Sequence, residues 1–274
     1  MKKFFTVFWV MVLLVSSFAA FGEESKSQID SQLNQVLAQA RNQLVDQLEQ
    51  LSSNLDKTSE QLSAKLNDPA SALPVIKAFR EKVPGLVSCA LIDKNGIAFL
   101  IVPEEFQYLK GRDLNNYSHY LKLRKEGKPV ASRFFLSEEG VPAIEVLHPI
   151  MNKDGKMAGV LGAIIDPQAF LGAALKPLKL DPEKFAVSVA QTDGWVLYSP
   201  VPEMAGVNFF RLPQYQSAEM KKLGHTIAAE AMGQADYTAP YKGAQYTIHG
   251  EWGTLTLYDT NWRLIGEETV SIKK

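Results

Sequence analysis

Cysteine is almost missing from these 274 residues: Cys89 stands alone. That excludes an internal disulfide framework and any cysteine-rich zinc or iron–sulfur centre. An excess of one charge is missing too. Lys and Arg total 29 against 30 for Asp and Glu, whereas a nucleic-acid binder carries a marked positive surplus. The histidines, His119, His148, His225 and His249, form no pair three or four apart, so helical spacing builds no metal site. HExxH, GxSxG and glycine-rich phosphate loops are all absent. The expectation is a protein without catalytic residues, cofactor or metal. Beyond the first 22 residues no apolar run approaches membrane-spanning length. With 46% hydrophobic and 22% charged residues over its full length, the sequence has the balance of a soluble globular chain.

The N-terminus is read as a targeting segment. Lys2 and Lys3 precede an apolar stretch, Phe4 to Phe21, and Ala20-Phe21-Gly22 places small residues ahead of Glu23-Glu24. This is the pattern of a secretory signal peptide over residues 1–22. The alternative is an uncleaved anchor, because 18 residues at ~1.5 Å each reach ~27 Å. Either puts the remainder outside the cytoplasm, in the periplasm or secreted.

From Ser25 to Asn67 there is neither proline nor glycine. Leu44, Leu48, Leu51, Leu55 and Leu62 recur four and three apart, with Thr58 in the missing place, which predicts one long amphipathic helix. Its stripe either docks on the same chain or forms a dimeric coiled coil. A connector helix over residues 70–82 completes a first unit, 25–82. From Leu86 the period changes to two. Val87–Asp93, the turn to Gly96, and Ile97–Val102 predict a hairpin. A helix capped by Asn115 runs to Gly127. Strands follow at 130–136, 142–151 and 157–166, then a helix at 167–176. Phe185–Gln191, Thr192-Asp193-Gly194 and Trp195–Ser199 repeat the hairpin, with Gly194 placed 98 residues after Gly96. A helix over 214–231 and strands at 235–240, 244–249 with 254–258, and 262–270 close the chain. The fold class is α+β: a long N-terminal helix followed by two lobes, 84–176 and 183–272, each an antiparallel sheet with flanking helices.

Three segments carry a resemblance to a known family. They are Lys110-Gly111-Arg112-Asp113-Leu114-Asn115-Asn116-Tyr117-Ser118-His119-Tyr120, then Val130-Ala131-Ser132-Arg133-Phe134-Phe135, and the hairpin from His148-Pro149 through Gly159-Val160-Leu161-Gly162 to Asp166. With the element order, they resemble the double Cache domain, the PAS-like extracellular sensing module of bacterial chemoreceptors and histidine kinases. The likeness covers about 25–270 and is strongest over 86–171. It implies a ligand pocket in the membrane-distal lobe, between the short helix and the curved sheet. By position, the ligand-binding residues are Tyr117, His119, Tyr120, Phe135, Ser137 and Ile164. Amino-acid-sensing members hold the carboxylate with an arginine and the ammonium with two acids. Those positions fall on Tyr117, Ser137 and Ile164, so only aromatic character survives. A buried ammonium without a carboxylate partner is strongly disfavoured. The resemblance therefore implies an aromatic, mainly uncharged lining and a small neutral or weakly polar ligand, with amino-acid binding by that scheme not expected. Only four residues follow Val270, so the expectation is a free or singly anchored module that reports occupancy to a membrane-bound signalling partner. The other possibility is an interaction protein that dimerises through its N-terminal helix.

The other reactive side chains have plain readings. His148 before Pro149 is a hydrogen-bonded strand residue, Asp93 and Asp193 are turn formers, and Asp166 caps a helix. Cys89 is a small buried hydrophobe. Trp195, Trp252 and Trp262 are packing residues, and Arg112 and Arg133 are either solvated or an attraction for an anionic ligand.

Overall fold

The computed structural model describes residues 32–213, 215–240 and 243–273 in full, and the backbone elsewhere only within the elements named below. The side chains of the signal or anchor segment, 1–22, lie outside the described residues. Among the described residues no helix is long and apolar enough to cross a membrane.

Helix α1 (Phe4–Ser63) leads into α2 (Pro69–Lys82). Asp68 caps α2, its side chain accepting from the amides of Ala70 and Ser71, and Pro69 supplies the preset first turn. The first lobe comprises β1 (Leu86–Asp93), β2 (Ala98–Val102), α3 (Ser118–Glu126), β3 (Val130–Ala131), β4 (Phe135–Leu136), β5 (Pro142–Met151), β6 (Met157–Ile165) and α4 (Pro167–Leu175). The second comprises β7 (Phe185–Gln191), β8 (Val196–Tyr198), α5 (Ala218–Ala229), β9 (Gly233–Tyr241), β10 (Ala244–Leu257) and β11 (Thr260–Lys273). The sheet orders are β2-β1-β6-β5-β3, with β4 also on β5, and β8-β7-β11-β10-β9. All of these pairings are antiparallel.

The two lobes are built alike down to their turns. Gly96 and Gly194 both close the first hairpin at positive φ, +87° and +93°, a region where a β-carbon is penalised. Each turn is followed by an isolated bridge to a later loop, Ile97 to Asp113 and Trp195 to Asn208. The expected architecture of a long helix and two antiparallel α+β lobes is the observed one.

Helix α1 is the spine behind both sheets. Leu44, Leu51, Leu55 and Leu62 are at most 1% exposed. They share one apolar core with Ile144, Val146 and Leu161 of the first sheet and Val189, Leu255 and Trp262 of the second. The stripe therefore docks within the chain, and over this stretch its leucines offer no seam to a second copy. Thr58, also buried, satisfies its hydroxyl on the Asn54 carbonyl at 2.6 Å. His148 of β5 ties the helix to the sheet through Ser59 (2.8 Å) and Asp56 (2.8 Å). The opposite face of the first sheet packs on α3 through a second cluster: Ile92, Ala98, Ile101, Leu114, Tyr120, Leu123, Val130, Leu147 and Val160.

Several boundaries differ from the sequence reading. Helix α3 starts at Ser118 after an N-cap residue, Tyr117, whose side chain makes no cap bond. Asn115 instead donates to the Asn95 carbonyl (2.7 Å) and to Asp113 (2.8 Å), pinning the loop to the first hairpin. The strand predicted over 130–136 is split into β3 and β4, because Ser132 to Phe134 turn toward the second lobe. There the Phe134 amide donates to Gln191 Oε1 (3.1 Å) and the Phe134 ring meets Trp195 at 5.0 Å between centroids. Strand β10 runs unbroken through Gly250 and Gly253, where the sequence suggested two strands. A β-carbon on Gly250 would lie 3.0 Å from the Tyr237 ring, so the glycine makes room for a cross-strand aromatic.

Candidate functional site

On the α3 side of the first sheet lies a cavity of about 40 Å³, measured as the volume open to the centres of water molecules. At roughly 10–15 Å³ per water on that measure, it takes about three water-sized groups. Small residues make the hollow. Ser88 and Ala90 come from β1, Ala98 from β2 and Gly162 from β6. A β-carbon at Gly162 would sit 3.3 Å from Ile92 and 3.4 Å from both Glu145 Oε1 and Leu147.

Three charged side chains share this lining: Arg112, Glu139 and Glu145. Glu145 lies on β5 directly across from Ile164 of β6. Its Oε2 meets His119 Nε2 at 2.6 Å, both side chains being 13% exposed, and its amide donates to Ser132 Oγ at 2.8 Å. Glu139 sits on the turn between β4 and β5. Its Oε1 accepts from Ser88 Oγ at 2.5 Å, and its Oε2 is buried without a hydrogen-bond partner from the chain. Arg112 donates to the Tyr117 hydroxyl and to Glu138 Oε1 (2.8 Å), and its guanidinium lies 4.9 Å from the Tyr117 ring centroid. The site therefore joins a fixed cation to two carboxylates, one of which has a free buried oxygen. It can take up hydrogen-bond donors, and positive charge most favourably.

Of the six residues placed by position, Tyr117 and Ile164 line the cavity. His119 stands behind it, reaching it through Glu145. Tyr120 is fully buried in the apolar cluster beneath α3, where burial raises its phenol above the ordinary value. Phe135 is half-buried on β4, and Ser137 is buried at the turn base. Neither belongs to the lining, but the hydroxyls of Tyr120 and Ser137 are, like Glu139 Oε2, buried without partners. The expectation of a mainly uncharged lining is corrected by Arg112, Glu139 and Glu145. Charge is moved by one strand or two residues relative to the positions carried by resemblance: from Ile164 to its cross-strand neighbour Glu145, and from Ser137 to Glu139. Glu145 had a visible signal, the lone acid in the mostly apolar run Pro142–Met151. Arg112 is only 23% exposed and paired, whereas Arg133, 82% exposed, is solvated as expected.

Asp166 caps α4 through the amides of Gln168 and Ala169, and Asp93 accepts from the amides of Asn95 and Ile97 within its turn. Cys89 is fully buried, and burial pushes its thiol well up.

A long spine helix and two α+β lobes, with a cavity between the first sheet and the 109–117 loop, make up the fold of Cache-type sensor domains. Residues 46–167 match the family described as HK/GC/chemotaxis protein-like sensor domain. Solved structures share the fold. An extracellular ligand binding receptor from Desulfohalobium retbaense is 21% identical with a TM-score of 0.66, over 86% of this chain and 40% of that one. The ligand-binding domain of the Pseudomonas fluorescens chemoreceptor CtaA, in complex with L-isoleucine, is 15% identical with a TM-score of 0.63, over 90% and 95%. The periplasmic sensory domain of the Campylobacter jejuni chemoreceptor Tlp1 is 15% identical with a TM-score of 0.53, over 89% and 92%. The chain thus spans less than half the length of the first of these. No curated protein matches it.

Proposed function

We propose that the first lobe is the ligand-binding unit of a non-enzymatic, extracytoplasmic sensor module, and that its ligand is small and carries an ammonium group. The observation that carries this is the free carboxylate oxygen. Glu139 Oε2 is buried beside the cavity with no partner from the chain, and an unsatisfied buried acceptor of this charge is costly. Glu145 supplies a second carboxylate to the same space. The CtaA complexes with L-isoleucine, L-alanine, L-leucine and L-serine give the same ligand chemistry in a neighbour of like fold. Occupancy shifts the first lobe against the spine helix and the second lobe, and a partner protein reads that shift. A ligand biases such an equilibrium only by binding one state better.

The test is thermal unfolding and calorimetric titration of the purified chain with ethylamine, L-alanine and propionate. The first two should stabilise it and propionate should not. Glu139→Gln removes one charged hydrogen bond, about 1.5–3 kcal/mol, and should weaken ethylamine binding by roughly tenfold or more. Stabilisation by uncharged compounds alone would restore the neutral-ligand reading.

A further inference from the structure

We propose that Glu138 is an internal substitute for a ligand carboxylate: it occupies Arg112 in the empty site and is displaced when a zwitterion enters. This rests on the reading of the first lobe as an ammonium site and adds what selects among ammonium-bearing ligands.

The turn between β4 and β5 carries two consecutive carboxylates with opposite attachments. Glu138 reaches Arg112, which follows the 3₁₀ turn Glu104–Leu109, at 2.8 Å. Glu139 reaches Ser88 on β1 at 2.5 Å. The turn closes on itself through Gly140 N to Ser137 O (3.0 Å), and the Tyr108 hydroxyl holds the Glu138 carbonyl at 2.9 Å. It is a strap joining the two walls of the cavity.

The two members of the Arg112–Glu138 pair are unequal. Arg112 is fixed by the Tyr117 hydroxyl and ring and is 23% exposed, while the Glu138 side chain is 50% exposed. The anion is therefore the exchangeable partner, since an exposed carboxylate regains water on leaving. A guanidinium binds carboxylates of either source through the same N–H donors, so a ligand carboxylate competes with Glu138. Space requires this competition. A cavity of about 40 Å³ receives an ammonium and a carbon or two, roughly three water-sized groups. The carboxylate of an α-amino acid held at Glu139 and Glu145 must then extend to the Arg112 wall, where Glu138 stands. An amine without a carboxylate leaves Glu138 in place.

The experiment compares L-alanine and ethylamine by calorimetry on the wild-type chain and on Glu138→Gln. Removing an exposed ionic competitor should tighten L-alanine roughly two- to fivefold and leave ethylamine unchanged. Hydrogen exchange on the wild type gives a second reading, free of any substitution: amides 136–141 should exchange faster with L-alanine than with ethylamine. If L-alanine binds Glu138→Gln no tighter while ethylamine still binds both proteins, the displacement proposal is overturned and the ammonium site stands. If neither compound binds either protein, the ammonium site itself is refuted and the proposal falls with it.

Discussion

Adding a methyl group at Gly162 separates the cavity's role in binding from its role in stability. The residue lies in β6 on the cavity floor, and its new β-carbon would meet Ile92 at 3.3 Å and Glu145 and Leu147 at 3.4 Å. Replacing a strand glycine by alanine gains about 0.5–1 kcal/mol from the unfolded chain. The nearest neighbours are the far ends of side chains rather than backbone and can give by a few tenths of an ångström, so Gly162→Ala should keep its melting temperature within a few degrees of wild type. Binding should behave differently. A ligand seated among Ser88, Glu139 and Glu145 competes with that methyl for a space of about 40 Å³. Overpacking a filled interior costs about 1–3 kcal/mol, which corresponds to roughly five- to 150-fold in affinity. Gly162→Val should lose binding completely. Thermal unfolding with calorimetric titration of L-alanine and ethylamine reads both quantities on the same samples. Undiminished affinity in Gly162→Ala and Gly162→Val would refute the assignment of this cavity as the ligand site.

Two further perturbations test the frame around the site. Leu51→Ala truncates a side chain 1% exposed in the core shared by both lobes, and should cost about 2–5 kcal/mol in urea unfolding, with both lobes unfolding together; an early separate transition of the second lobe would contradict a common core. Glu267, half-buried on β11, has its carboxyl raised above the ordinary 4.5 by desolvation, an effect the hydrogen bond from Tyr237 opposes. A raised folded pKa means that the folded state holds this proton more tightly than the unfolded chain. Its stabilising contribution is then full below about pH 4.5 and is lost as pH rises through the folded value. Thermal unfolding from pH 4 to 8 should show Glu267→Gln gaining on wild type as pH rises, and parallel curves would sink the argument.

Much of this structure was legible in residue order. The leucine spacing marked α1, and the break in period at Leu86 marked the first sheet. The turn glycines, Gly96 and Gly194, marked the repeat, because backbone geometry there leaves few choices. What escaped was set by tertiary geometry. Asn115 is a good helix cap by type, but its side chain is engaged with Asn95 and Asp113, and no local rule anticipates a loop-to-hairpin tie. The segment 130–136 has strand propensity throughout, yet Gln191 and Trp195 draw its middle toward the second lobe. The lining charges escaped because a position carried along one strand says nothing of the residue across from it. Glu145 faces the cavity through its pairing with Ile164, and Glu139 through a turn whose path is not written in its neighbours.

The repeat also shows why one lobe has a cavity where its twin holds rings. Ser88 and Ala186 each stand eight residues before their turn glycine, and they pair with Ile164 and Glu267 respectively. Glu267 is therefore the counterpart of Ile164. The cross-strand partners of these two residues, Glu145 and Gly250, correspond in the same way. In the first lobe an acid on β5 faces small residues on β1 and β6, and a hollow remains. In the second the acid is on β11 and the glycine on β10, so the Tyr237 ring packs over Gly250 and donates its hydroxyl to Glu267. One step further along, Leu147 opposite Gly162 becomes Trp252 opposite Ile265. The same backbone frame thus carries its carboxylate on neighbouring strands in the two lobes. In the second, an internal tyrosine meets the acid; in the first, Glu139 and Glu145 face a space that the chain does not fill.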